Sequence, residues 1–376
     1  MGTPPDVAFD VARRYAVQAV KEAKAKTSRP VDSILKTQNI SLSNEITIEQ
    51  ESVAEAPKSR RKTKQEITAS KVNQALEIQD ESAQDAAEVG FIARLLIQAT
   101  MPHSKPEGSE WSRTNGNLSM HMMAPSAIGL PYGSYARLLL VWITTQAARN
   151  KIKADKGWIT YEEARRLELG DSLSGFMSDL GLVPTGGKKG TIGILRDQMN
   201  RLFSTAITAT ITESHSDTGL VVDRLGGAMV ADEAELWWDT RRPEQSSLWR
   251  SYVELSPKFY RLITEKPVPL DMRVLRLIKK SPMALDVYCW ATYRVSYLKR
   301  ATVIPWDGLM AQIGASYPNT AQGRAHFRSK FKQGLAKVKA AWPQLDATPT
   351  EKGLLLKRCA PQVSRQGRRE IAPPNE

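Results

Sequence analysis

Two stretches of this chain share one order of apolar and polar positions. In the first, apolar residues at helical spacing begin after Gly129-Leu130-Pro131-Tyr132-Gly133. They predict a strong amphipathic helix, capped by Ser134 and running to Asn150. Phe176-Met177 and Leu180-Gly181 mark a short helix that stops at a glycine, and Gly190 opens another over Thr191 to Ser204. Ile207, Ala209 and Ile211 then alternate with Thr208, Thr210 and Thr212, the period of a strand. A turn at Ser214 to Gly219 leads to a second strand at Leu220-Val221-Val222.

The second stretch follows the same plan. Ser281-Pro282 starts a long helix, with Ser as cap and Pro at the first helical position, reaching about Lys299. Leu309-Met310 and Ile313-Gly314 mark a short helix, and a longer one runs from Ala321 to Ala341. Leu345 to Thr348, a charged turn over Pro349 to Gly353, and Leu354-Leu355-Leu356 form a hairpin. Ala136, Trp142 and Thr144 have the mutual spacing of Ala284, Trp290 and Thr292. From Phe176 to Leu202 the offset to the second stretch is constant, with Gly181 matching Gly314 and Gly190 matching Gly323. Extra residues around Lys151 to Tyr161 separate the two matched blocks in the first stretch.

Helix, short helix, turn, helix, hairpin is the order of a winged helix. The fold class is therefore α+β: two tandem winged-helix domains preceded by a largely disordered N-terminal region. The domains span 88–264 and 271–362, joined by a proline-bearing linker at Glu265-Lys266-Pro267-Val268-Pro269. Ahead of the first long helix, Phe91 to Ala99 reads as a helix ended by Met101-Pro102, and Asn117 to Met123 as a short strand. Residues 1–87 are polar and poor in aromatics; Asp6 to Lys26 can form one helix, and Lys58 to Lys64 is a basic run, either solvated or touching DNA without sequence preference. Residues 363–376 read as a disordered tail. Trp237-Trp238 and Trp249 read as core between the halves rather than a base-stacking platform.

Charge adds the function class. The 376 residues carry a formal net charge of +13, a balance that points to a polyanion, with nucleic acid the default. Between Asp307 and Asp346 there is no acid, while Arg324, His326, Arg328, Lys330, Lys332, Lys337 and Lys339 lie in that window. At 100° per residue, Phe327, Phe331, Leu335, Val338 and Trp342 form one face. Arg328, Lys332 and Lys339 flank it on one edge, and His326, Lys330 and Lys337 on the other. Opposite lie Ala325, Ser329, Gln333, Ala336 and Ala340, a face small enough for a major groove about 12 Å wide. The flanking cations, with Arg324 in the first turn, reach phosphates; Ser329 and Gln333 read base edges.

In the first half, Arg196, Asn200, Arg201 and Ser204 point outward with Asp197 among them, serving either DNA or another subunit. The segment Thr185 to Gly193, TGGKKGTIG, resembles a phosphate loop. Its lysines precede the last glycine of the cluster and the preceding segment is helical, so order and context exclude a nucleotide P-loop. What is left is a glycine turn opening a helix at Thr191, with Lys188 and Lys189 beside its amides. That is either a site for a DNA phosphate or a plain turn.

Other chemistry finds little support. Cys289 and Cys359 form no CxxC, and the histidines at 103, 121, 215 and 326 are scattered, so no metal or other cofactor is expected. A rolling-circle nicking initiator needs a tyrosine nucleophile and paired histidine ligands. Tyr288, Tyr293 and Tyr297 have the spacing of a partly buried helix face, no His-x-His occurs, and the chain reads as no enzyme. The longest apolar run, Leu138 to Ile143, is too short to span a bilayer, and the N-terminus lacks a signal pattern. The expected location is the cytoplasm.

GLPYGSYARLLLVWITTQAARNK, SLSGFMSDLGLVPTGGKKGTIGILRDQMNRLFS and SPMALDVYCWATYRVSYLKRATVIPW resemble the RepA-type plasmid replication initiator family, over roughly residues 88 to 362. The resemblance implies a bacterial plasmid protein that binds direct repeats, or iterons, in double-stranded origin DNA. It further implies opening of adjacent DNA, recruitment of the host initiator and replicative helicase, control of copy number and a monomer–dimer equilibrium. The second winged helix would be the main reader; the first would support dimerisation and backbone contact. A winged-helix transcriptional repressor without a replication role is the other reading.

Overall fold

The structure is a computed structural model, and it describes residues 64–80, 82, 83, 86, 88–187, 190–215, 220–238, 251–314 and 317–363. The expectations for residues 1–63, the helix over Asp6 to Lys26 and most of the basic run among them, lie outside the described residues, as do Lys188, Lys189, Trp249 and the tail from 364. No described helix is long and apolar enough to cross a membrane.

Two long helices form the centre. α3 (Gly133–Asp155) and α8 (Pro282–Val295) are buried nearly all round, Ala136 to Thr145 in the first and Met283 to Thr292 in the second. The one-sided helix expected after Gly133 is thus enclosed, because elements of both halves cover it. Its start differs as well. Tyr132 is the cap position, and its N–H is met by the Gln198 side chain at 2.8 Å; Ser134 makes no cap. By contrast Ser281 caps α8 through the Ala284 N–H, with Pro282 in the first turn. The same dipeptide at Ser256-Pro257 opens α6 (Pro257–Thr264), with Ser256 accepting from the Phe259 N–H at 3.2 Å.

The repeat is structural. In the first half, α4 (Leu173–Asp179) leads through Gly181, at φ +68°, to α5 (Thr191–Phe203). In the second, α9 (Trp306–Ile313) leads through Gly314 to α10 (Ala321–Ala341). A Cβ on Gly190 would strike the Thr185 carbonyl oxygen, and one on Gly323 the Pro318 carbonyl oxygen. The same close approach, five residues back in each half, accounts for a glycine at both positions.

The sheets differ between the halves. After α10, β11 (Ala347–Pro349) and β12 (Gly353–Leu356) form the expected hairpin. β10 (Thr302–Pro305), which the pattern did not reveal, joins it in the order β10-β12-β11. After α5 the strands are ten residues each, β5 (Ala206–His215) and β6 (Leu220–Met229), far longer than the apolar signal at Leu220-Val222. They extend β2 (Glu110–Asn115) and β3 (Leu118–Met123) into a sheet ordered β2-β3-β5-β6. A smaller sheet, β4-β8-β7, joins Arg166–Glu168, Tyr252–Leu255 and Ala231–Glu235. Beyond it Trp237 is 47% exposed, a correction to its placement in the core, while Trp238 packs at the core's edge.

The join between the halves is a correction too. The expected linker is β9 (Pro267–Asp271), paired antiparallel with β1 (Val89–Ala93), so the start of the helix expected at Phe91 is a strand. Only Arg94–Gln98, α2, is helical there. Pro267 and Pro269 are tolerated because β9 pairs only with β1 among the described residues and needs no donor on its other side. From the region read as flexible, Lys64–Asp80 forms α1, which packs against α10 and α7 (Met272–Ile278) and buries Ala75 and Ile78. Glu88 pairs with Arg276 at 2.7 Å, and Lys279 donates to the Gly181 carbonyl.

A buried charge cluster also ties the halves. Arg137 of α3 meets Asp286 of α8 through two bonds, 2.6 and 2.8 Å, and donates to the Met101, Pro102 and Gly133 carbonyls. His103 shares Asp286 at 2.7 Å. Burial pushes the Asp286 carboxyl up, but Arg137 and the hydrogen bonds from His103 and Arg137 outweigh it and hold the group below its ordinary value. Burial dominates at His103 and lowers its pKa against the pull of Asp286.

Candidate nucleic-acid interface

The site grows from α10. Thr320 caps it, its hydroxyl accepting from the Gly323 N–H at 3.1 Å. Phe327, Phe331, Leu335, Val338 and Trp342 are all buried, as their spacing predicts. Trp306 meets Phe331 edge to face at 5.7 Å, and Trp342 meets Tyr288 at 6.4 Å. These contacts fix the helix's rotation, and the opposite face follows.

That face and its two edges hold what the helical spacing placed there. Arg328, Ser329, Lys330, Lys332, Gln333 and Lys337 are exposed. Arg324 is half-buried and donates to Asn319 Oδ1 at 2.8 Å, so it also braces the turn before α10. Gln333 and Ser329 approach to 3.5 Å, a contact long enough to leave both free to meet another group. Arg328 and Lys332 lie 5.8 and 6.0 Å from the Trp306 ring, on the side of the hairpin. Trp306 in turn donates to the Thr350 carbonyl in the hairpin turn at 3.0 Å. One buried tryptophan thus sets the distance between helix, cations and wing, a link that α10's own sequence does not disclose. Near the start of α10, Tyr317 stands edge-on to His326 at 5.3 Å and to His103 at 6.4 Å.

The first half is different. The Thr191 hydroxyl donates to the Val183 carbonyl at 2.6 Å, and the Thr191 N–H is met by Thr185 Oγ1 at 2.9 Å. The Ile192 N–H points at the Thr185 carbonyl, 3.3 Å away. The loop therefore caps its own helix, and amides that would greet a phosphate already have partners. Arg201 is a correction: its side chain is 11% exposed, pairs with Asp197 at 2.8 Å and lies 5.5 Å from the Tyr132 ring. A face drawn from spacing alone points it outward, but the loop at Leu130 to Tyr132 covers that edge. Arg196 and Asn200 are exposed. Beside Asn200 opens a concavity that also takes in Asp197, Asp232 and Glu233, so the surface around α5 lacks the uniform positive charge of α10.

The tyrosines expected to share a partly buried face grade from inside to outside. Tyr288 is fully buried and its hydroxyl accepts from the Asp271 N–H at 2.9 Å; Tyr293 is half-buried and Tyr297 is 45% exposed.

Residues 130–308 match the family model described as plasmid encoded RepA protein. Over this segment the chain is similar to the plasmid RepA family. The RepA match takes in α3 through the start of α9 and ends before α10. No curated protein matches the chain. Two crystal structures of RctB domains 2 and 3 share 11% identity with it: a selenomethionine form at TM-score 0.43, covering 74% of this chain and 98% of that one, and another at 0.39, covering 70% and 96%. At those scores neither carries the fold assignment, which rests on the order of helices and strands in this chain.

Proposed function

We propose that this RepA-like chain initiates plasmid replication by binding direct repeats in duplex origin DNA, with α10 in the major groove and the β11–β12 turn beside it. One observation carries the reading: α10 turns a small polar face outward, flanked by exposed cations, while five apolar residues lock its other face into the core. Lys330 and Lys337 on one edge, and Arg328 and Lys332 on the other, straddle a groove and meet phosphates of both strands. Gln333 and Ser329 contribute base contacts. The first half serves dimerisation and backbone contact through Arg196 and Asn200.

Binding, rather than catalysis, is the proposed mode of action. Opening of adjacent DNA and recruitment of the host initiator and helicase follow from the family reading. So do a monomer–dimer equilibrium and a place on plasmid DNA in the bacterial cytoplasm. The test is a footprint of the purified protein on DNA flanking its own gene, with a salt titration. Protection repeating over tandem sites supports the proposal. A single inverted-repeat footprint favours a repressor, and a metal-dependent nick overturns it in favour of a nicking enzyme.

A further inference from the structure

A second basic surface lies away from the outer face of α10. Pairing of β10 with β12 sets Pro305 against Gly353 beside the wing turn, and Thr302 against Leu356 at the other end. The chain beyond that far end is cationic on both strands: Lys299 and Arg300 precede β10, and Lys357 and Arg358 follow β12. All four are exposed. The acid at this end, Asp346, pairs with Lys357 at 3.6 Å, and among the described residues no carboxylate pairs with Lys299, Arg300 or Arg358.

The cations border a depression. A concavity of about 690 Å³ opens between the end of α8, Val295 to Lys299, and the strand exit, Arg358 to Pro361. At its rim Tyr297 is 45% exposed, with its ring 5.0 Å from that of Tyr293. Arg294 donates to the Tyr297 hydroxyl at 2.6 Å and lies 5.0 Å from its ring centroid. The tyrosine is thereby held in place, with part of its ring free.

We propose that this surface is a second phosphodiester-binding site, with Lys299, Arg300 and Arg358 as the phosphate contacts and Tyr297 at its edge. Cations that pair with no described carboxylate gain by releasing a polyanion's counterions. A concave floor beside an exposed ring suits a nucleic-acid backbone better than a flat protein face. The wing sheet separates the site from the wing turn by about 10 Å of strand. One protein can then hold its repeat through α10 and a further stretch of DNA here. The proposal rests on the DNA-binding reading of α10, and the experiment separates the two.

The full chain and a triple variant, K299Q/R300Q/R358Q, are titrated with salt on three DNAs. These are a duplex of one footprint, the same duplex extended by a helical turn on each side, and a single strand of the extended length. Circular dichroism checks the fold; all three residues are exposed. Expected is unchanged affinity on the short duplex, with a log–log salt slope lowered by about 2 to 3 on one of the longer DNAs. A loss confined to the extended duplex assigns a second stretch of the same DNA. A loss confined to the single strand, with Tyr297→Ala weakening that complex about fivefold or more, assigns a separated strand. Unchanged slopes on all three overturn the second site and leave α10 standing. An equal loss on the short duplex shows that the patch belongs to the α10 interface, which also overturns it. Failure of the unaltered chain to bind any of the three sinks both readings.

Discussion

Neutralising Lys330, Lys332 and Lys337 together is the sharpest test of how α10 meets DNA. All three are exposed, and they lie on both edges of a helix whose inner face is fully buried. Replacement by glutamine keeps an unbranched polar side chain of similar helix propensity and leaves the aromatic seam untouched. If each contacts one phosphate, the slope of log Kobs against log salt falls by about 0.9 per residue, about 2.7 in all. Over a fourfold rise in salt, wild-type affinity should therefore drop about 40-fold more than that of the variant. The loss should be alike on specific and unrelated duplexes, because phosphates carry no sequence. Fluorescence anisotropy on one repeat and on a scrambled duplex measures both. Gln333→Ala is the counterpart: the slope should stay and discrimination should relax at one or two base pairs, costing about 1–3 kcal/mol per lost base contact. Equal behaviour of the two variants, or an unchanged slope in the triple one, would refute the assignment of faces.

Asp286→Asn should destabilise the fold by about 3–5 kcal/mol in urea unfolding, since it leaves Arg137 buried without its partner. Because the folded pKa of Asp286 is depressed, its contribution is present above the ordinary carboxyl pKa and is lost as pH falls through the folded value, so the variant should lack that acid-side loss. His103, also depressed, binds a proton less readily when folded. Stability should decline as pH drops below about 6.5, and His103→Gln should remove that part of the slope. Gly190→Ala and Gly323→Ala force a methyl onto a backbone carbonyl and should each cost about 1–3 kcal/mol, while Gly193→Ala, which meets nothing, should gain up to about 1 kcal/mol. Arg201→Gln should lower the melting temperature and leave the salt slope alone, whereas Arg196→Gln should do the reverse.

Several features follow from the sequence alone because they depend on residues near one another in the chain. The seam of α10, its cationic edges, the cap at Ser281 and the two-fold recurrence of helix, short helix and helix are set by side-chain period and capping chemistry. The paired glycines at 190 and 323 recur because each half repeats one local turn. Other features had to wait for tertiary structure. The strand at Pro267–Asp271 exists because Val89–Ala93 comes to lie beside it, and a window centred on its prolines carries no trace of that partner. Arg201 turns inward because a loop some seventy residues earlier in the chain covers it. Arg137 and Asp286, 149 residues apart, are ordinary helix residues until two helices cross and exclude water between them. Lys299 and Arg358 likewise become one surface through the pairing of β10 with β12. Local pattern sets which face of an element is apolar; only the assembled chain decides what covers each face, and with it which charges stay free to meet DNA.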